Sequence, residues 1–149
     1  MPAMQKISPF LWFDGNMEEA VKFYVSVLPD SSVMSMNPMS SNFVLSGVEF
    51  MGLNGGPMFK FTEAVSLFVK CADQAEVDRY WDAFIANGGA ESQCGWLKDK
   101  FGLSWQIIPD ALGHYMSHPD RAKANRVMQA MLKMKKIIVA DLEAAAEAA

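Results

Sequence analysis

Residues 16–28 (NMEEAVKFYVSVL) put Ala20, Phe23, Tyr24, Val27 and Leu28 at spacings of three and four. That is the period of a helix burying one stripe. Residues 73–85 (DQAEVDRYWDAFI) repeat the pattern 57 positions later, with Val77, Tyr80, Trp81, Phe84 and Ile85. Each run opens on a capping residue followed three positions on by an acid, Asn16 with Glu19 and Asp73 with Glu76, the spacing of a capping box. Pro29 ends the first helix and Asn87-Gly88-Gly89 the second. A strand-like run precedes each helix, at 7–13 and 64–70. Strand candidates follow at 32–36, 42–45 and 49–53 in the first half, and at 96–98 and 103–108 in the second.

Self-similarity of this kind predicts βαβββ built twice and joined at Asn54-Gly55-Gly56-Pro57. The fold class is α+β: two βαβββ modules forming a curved, barrel-like mixed-sheet trough, plus C-terminal helices. One domain spans 1–149, with halves at about 5–55 and 58–110 and a helical tail at about 117–149. One helix covers only one face of each small sheet, so a ligand in the trough is the default site.

Composition narrows the class. The chain has 149 residues, of which 51% are hydrophobic, so a disordered chain is excluded. No apolar run approaches a membrane span, and no signal peptide is evident at the N-terminus. Two cysteines, Cys71 and Cys94, are too few for a disulfide framework; free thiols and a cytoplasmic location are expected. Six of the 13 basic residues fall between 119 and 136. They interleave with Val127, Met128, Met131 and Leu132 at helical spacing, which predicts a solvated basic helix face over 119–135 and no nucleic-acid site. Ser117 with Asp120 suggests the cap of that helix, and an Ala-rich helix follows near 140–148.

The stretches FDGNMEEAVKFY (13–24), LNGGPMFKFTEAVSLFV (53–69), ESQCGWLKDKFGLSWQIIP (91–109) and RVMQAMLKMKKI (126–137) cover most of the chain. Through them it resembles the PhnB-like branch of the vicinal oxygen chelate superfamily, often labelled 3-demethylubiquinone-9 3-methyltransferase. That superfamily includes glyoxalases, bleomycin-resistance proteins and dioxygenases. Methyl transfer is not expected, because neither Gly55-Gly56 nor Gly88-Gly89 has the spacing of a nucleotide-binding glycine turn.

The resemblance implies a divalent metal held by strands of both halves. The matching positions here are Ser8 or Pro9, Glu49 or Phe50, Ser66, and Gln106. Ser and Gln are neutral and poor ligands for zinc or iron, so neither metal nor cofactor is expected. His114 and His118 fall in an expected loop before the C-terminal helix and read as surface residues.

The expected ligand site is Gln106, Ser66 and Asn54 as polar groups, with Trp96 and Trp105 as apolar walls and Cys94 nearby. Asn54 and Asp99 also read simply as turn formers. Alternation puts Gln106 and Trp105 on opposite strand faces. A buried Gln106 needs a partner, whether Ser66, water or ligand. Together these features predict a metal-free, homodimeric binder of a small apolar or aromatic molecule, with no membrane partner. The alternative is a metal-dependent lyase, isomerase or dioxygenase of the same superfamily.

Overall fold

The computed structural model describes residues 5–148, which form two compact units, 5–61 and 62–148. In the first unit, β1 (Phe10–Phe13) leads into α1 (Met17–Val27), followed by β2 (Ser32–Met36), β3 (Ser40–Leu45) and β4 (Val48–Asn54). The sheet order is β1-β4-β3-β2, with β1 parallel to β4 and the other pairs antiparallel. The second unit repeats this plan with β5 (Ser66–Cys71), α2 (Gln74–Ala86), β6 (Ala90–Glu91), β7 (Trp96–Lys98) and β8 (Ser104–Pro109). Its order, β5-β8-β7-β6, is the same. Joining a parallel pair requires a crossover, and the helix of each half lies within it.

Periodicity placed the α2 stripe well and the α1 stripe in part: Ala20, Tyr24 and Leu28 are buried, but Phe23 and Val27 only partly, while Met17 and Val21 complete the buried face. In α1, Met17, Ala20, Val21 and Tyr24 are buried against one sheet face, where Leu11, Phe13, Phe43, Leu45 and Phe50 are also buried. Phe43 and Phe50 stack across neighbouring strands at 5.4 Å. In α2 the stripe is Val77, Tyr80, Trp81 and Phe84. Phe84 meets Trp105 of β8 at 4.7 Å.

Three details of the tail differ from the sequence expectation. The expected loop after β8 is a helix, α3 (Asp110–Met116), which carries His114. Asp120, not Ser117, caps α4 (Arg121–Met131): its carboxylate accepts from Ala122 N and Lys123 N. Ser117 instead closes α3, its hydroxyl donating to Gly113 O. The basic face is not simply solvated either. Arg126 donates to the carbonyls of Ala145 and Ala146 at the end of α5 (Val139–Glu147). Arg121 donates to those of Met116 and His118. Cations suit helix C-termini because the last carbonyls lack partners.

The tail is stitched to the second βαβββ module. Cys94 N and Gly95 N donate to Met134 O and Lys135 O, each at 2.8 Å. Gln74 at the start of α2 donates to Ile137 O and accepts from Val139 N. That second bond caps α5, whose own N-cap residue, Ile138, has no side-chain acceptor. Lys136 pairs with Asp78 and Asp82, both on α2. Hydrogen bonding to Gln74, reinforced by Lys136, holds the Asp78 carboxyl below its ordinary range. Among the described residues, no helix is long and apolar enough to cross a membrane.

Candidate functional site

The second sheet has one face packed by α2 and one turned away from it. Leu67, Val69, Leu97, Trp105 and Ile107 share the α2 side, following from the strand register and the Phe84 contact. The other face is built from three rows of strand neighbours. Ser66, Ser104 and Lys98 form the first, Phe68, Gln106 and Trp96 the second, and Lys70 and Ile108 the third.

Gln106 is anchored, its Nε2 donating to Ser66 Oγ at 2.9 Å. The partner sought for Gln106 is therefore Ser66, one row away on β5. In register, Gln106 lies between Phe68 on one side and Trp96 on the other. Next to it, Ser104 is 1% exposed, and its Oγ has no hydrogen-bond partner among the described residues. Leaving such a group buried and unsatisfied costs about 1–3 kcal/mol. Ser104 lines a cleft of about 250 Å³ with Trp96, Lys98 and Glu63, where Lys98 and Glu63 form an ion pair.

The structure brings Gln106, Ser66 and Trp96 onto one face and separates Trp105 from them. Trp105 is 1% exposed, and its indole N–H donates to Asp99 Oδ2 at 2.9 Å. Asp99 does more than form a turn. Its Oδ1 also accepts from Phe101 N and Leu103 N, so a buried carboxylate ties the Lys100–Gly102 turn to the core. A carboxylate three residues before Gly102 was visible in the sequence; the ring it would hold was not.

Cys94 is half-buried in the turn before β7 at a positive φ of 59°, beneath the tail. Cys71 is fully buried at the end of β5, where burial pushes its thiol up to about 12. A thiol held protonated is a poor nucleophile.

Asn54 lies in the first unit and is engaged there. Its Oδ1 accepts from Met17 N, and its Nδ2 donates to Pro38 O. It thus supplies the α1 cap that Asn16 does not, since Asn16 makes no side-chain cap bond. Asn54→Ala is expected to cost about 1–2 kcal/mol, as loss of a helix cap does. Chemical denaturation followed by circular dichroism would show it as a lower midpoint with an unchanged slope.

Register also resolves Glu49 against Phe50. Phe50 is 6% exposed and lies on the α1 side, so Glu49 belongs to the opposite face. There it lines a hollow of about 610 Å³ with Lys6, Ser8, Met34 and Asn42. The Gln5 side chain brackets Glu49, accepting from its N–H and donating to its carbonyl.

The donor set does not fit the superfamily's metal. Its matching positions supply one carboxylate, Glu49, beside neutral Ser8, Ser66 and Gln106, and Gln106 presents an N–H to Ser66. Among the described residues, no three His, Cys, Asp or Glu side chains come together as a metal-holding group. His114 and His118 are 6.4 Å apart. His118 Nδ1 accepts from Asp120 N, so that nitrogen is already engaged within the chain.

Residues 5–108 match the family model described as 3-demethylubiquinone-9 3-methyltransferase. No curated protein matches the chain. Among solved structures, the PhnB protein of Bacillus cereus is 34% identical with a TM-score of 0.64; the match covers 70% of this chain and 99% of that one. A glyoxalase-related enzyme from Fulvimarina pelagi (16% identity, TM-score 0.54) matches over 71% of this chain and 88% of its own. The fosfomycin resistance protein FosX of Listeria monocytogenes, solved with Mn(II) and sulfate, matches at 12% identity and a TM-score of 0.53, over 68% and 87%. These last two likenesses are of fold. The repeated βαβββ plan, the family match over residues 5–108 and the Bacillus cereus relative agree: this chain belongs to the 3-demethylubiquinone-9 3-methyltransferase-like (PhnB) family, with the fold of the vicinal oxygen chelate superfamily.

Proposed function

We propose that this chain is a metal-free binding protein for a small apolar or aromatic molecule. The observation that carries this reading is the Phe68–Gln106–Trp96 row, a fixed carboxamide between two aromatic side chains on a face that α2 does not cover. Such a row offers two apolar faces and a directional polar group, the usual make-up of a small-molecule site. The unpartnered Ser104 hydroxyl beside it favours a ligand bearing one hydrogen-bonding group.

The test is titration with monocyclic aromatic alcohols and carboxylates, read by tryptophan fluorescence and repeated with Trp96→Phe to assign the signal. Saturable quenching that Gln106→Leu weakens by about tenfold is the expected result, the scale of one lost hydrogen bond in a dry site. Absence of saturable quenching, or an unchanged affinity in Gln106→Leu, would overturn it.

Exposed Phe10 and Met51 on the uncovered face of the first sheet favour a homodimer, since such patches are covered in assemblies. Sedimentation velocity reads that directly, and a monomer counts against it. The second reading, a metal-dependent enzyme, rests on Glu49 facing away from α1. One bound divalent ion per chain in untagged protein would favour it over the first.

A further inference from the structure

A cleft of about 300 Å³ opens at the carboxyl end of β5 and β8, where α3 forms one wall. Phe68 and Lys70 come from β5, Ile108 from β8, and Asp110, Gly113 and His114 from α3. The α3 wall lies beyond residue 108, where the family match ends, so the cleft as a whole is not built from the matched segment. Its volume is at the lower end of the range for small-molecule sites.

Two charges of opposite sign line this cleft. Among the described residues, neither Lys70 nor Asp110 takes part in an ion pair or a side-chain hydrogen bond. Lys98, Lys123 and Lys136, by contrast, are all paired. The remaining wall is apolar: Ile108 is 8% exposed, while the Phe68 ring is 56% exposed with no aromatic partner among the described residues. A purely anionic ligand would meet Asp110, and a purely cationic one would meet Lys70. A ligand carrying both charges satisfies both.

We propose that this cleft is a second binding site, for a small zwitterion with an apolar side chain, that is, an α-amino acid of the aromatic or branched type. Its carboxylate pairs with the Lys70 ammonium and its ammonium with the Asp110 carboxylate. Its side chain lies against Phe68 and Ile108, with His114 also lining the cleft. The cleft shares Phe68 with the aromatic row but none of Gln106, Ser66 or Trp96, and its two charges and its α3 wall belong to it alone; the Trp96 indole and Gly113 signals therefore tell the two sites apart.

The test uses the isotope-labelled full-length chain titrated with L-phenylalanine, reading the Gly113 and His114 backbone amides and the Trp96 indole N–H by NMR. Saturable shifts at Gly113 and His114 with Trp96 unmoved are expected. Lys70→Met and Asp110→Asn should each weaken binding by about tenfold, as loss of a charged hydrogen bond does. Gly113→Leu should abolish it. A Cβ at Gly113 meets nothing within 4 Å, and leucine favours a helix more than glycine does, so this variant fills the cleft without harming the fold. Phenylpropanoate and phenethylamine, each with one charge, should bind more weakly than phenylalanine. The proposal is overturned if no saturable shift appears at Gly113, if either singly charged analogue binds as tightly, or if Gly113→Leu binds normally. A shift at Trp96 alone would also overturn it, while supporting the aromatic row.

Discussion

Asp99→Ala is expected to destabilise the 62–148 unit by about 3–5 kcal/mol, the scale of removing one partner from a buried charged network. Asp99 is only 5% exposed, and its two oxygens accept from Phe101 N, Leu103 N and the Trp105 indole N–H at 2.8–3.0 Å. Alanine would leave three donors without their acceptor, two of them main-chain groups in the turn that feeds β8. A buried donor that loses its partner pays its full desolvation cost, whereas a made hydrogen bond is worth far less net. Asp99→Asn should lose less, because its one carbonyl oxygen still accepts, while its NH₂ cannot accept from the indole. Urea denaturation of both variants, followed by tryptophan fluorescence and far-UV circular dichroism, measures this. A loss below about 1 kcal/mol for Asp99→Ala, the range of ordinary surface substitutions, would refute the assigned role.

Ile137→Ala should produce the second large loss, about 2–5 kcal/mol, as truncation of a buried aliphatic side chain does when a cavity remains. Ile137 is fully buried at the centre of a cluster formed by Ile108, Leu112, Val127, Leu142 and Ala146. It joins α3, α4 and α5 to the end of β8. The consequence should extend to the candidate site. A Cβ on Gly95 would stand 2.6 Å from Ile108 Cδ1 and 3.0 Å from Ile137 Cγ1, so the turn before Trp96 packs closely against both isoleucines. Gly95 N donates to Lys135 O, and Gly95 O accepts from Ile107 N. Loosening the tail therefore loosens the peptide that carries Trp96 to Gln106. Limited proteolysis should show faster cleavage within 132–138 in Ile137→Ala, with wild-type rates in Leu132→Ala, whose side chain is half-exposed. Equal rates in the two variants would show that the tail is held by its polar stitches, such as Lys136 with Asp78 and Asp82.

What was legible in the sequence was local or periodic. The cap at Asp73 could be read because its acceptor and the Glu76 N–H it serves are three residues apart. Asn16 carried the same signature, yet the N-terminus of α1 is served by Asn54, 37 residues beyond Met17; no local pattern reveals a partner that distant. The Ser117–Asp120 spacing pointed to the wrong capping residue because α3, a short helix containing a glycine and no clear stripe, ends where the sequence suggested the next would begin. Alternation correctly placed Gln106 opposite Trp105. It could not say which of the two faces α2 would cover, and that decides that Trp105 is core under α2 while Gln106 and Trp96 lie on the opposite face.

By itself, then, the amino-acid sequence determined the two βαβββ modules, the buried stripe of α2 and part of that of α1, and the neutral character of Ser66 and Gln106. These follow from periodicity and residue chemistry, which act over a few neighbours. Tertiary structure alone decided that Ser66 is the partner of Gln106, that Glu49 rather than Phe50 faces away from α1, and that the basic tail is bound to α2 and the Cys94–Gly95 turn. Each of these depends on strand register or on a contact between distant segments. A shift of one residue in register would turn every side chain of a strand to the other face, and only the packed structure sets that register.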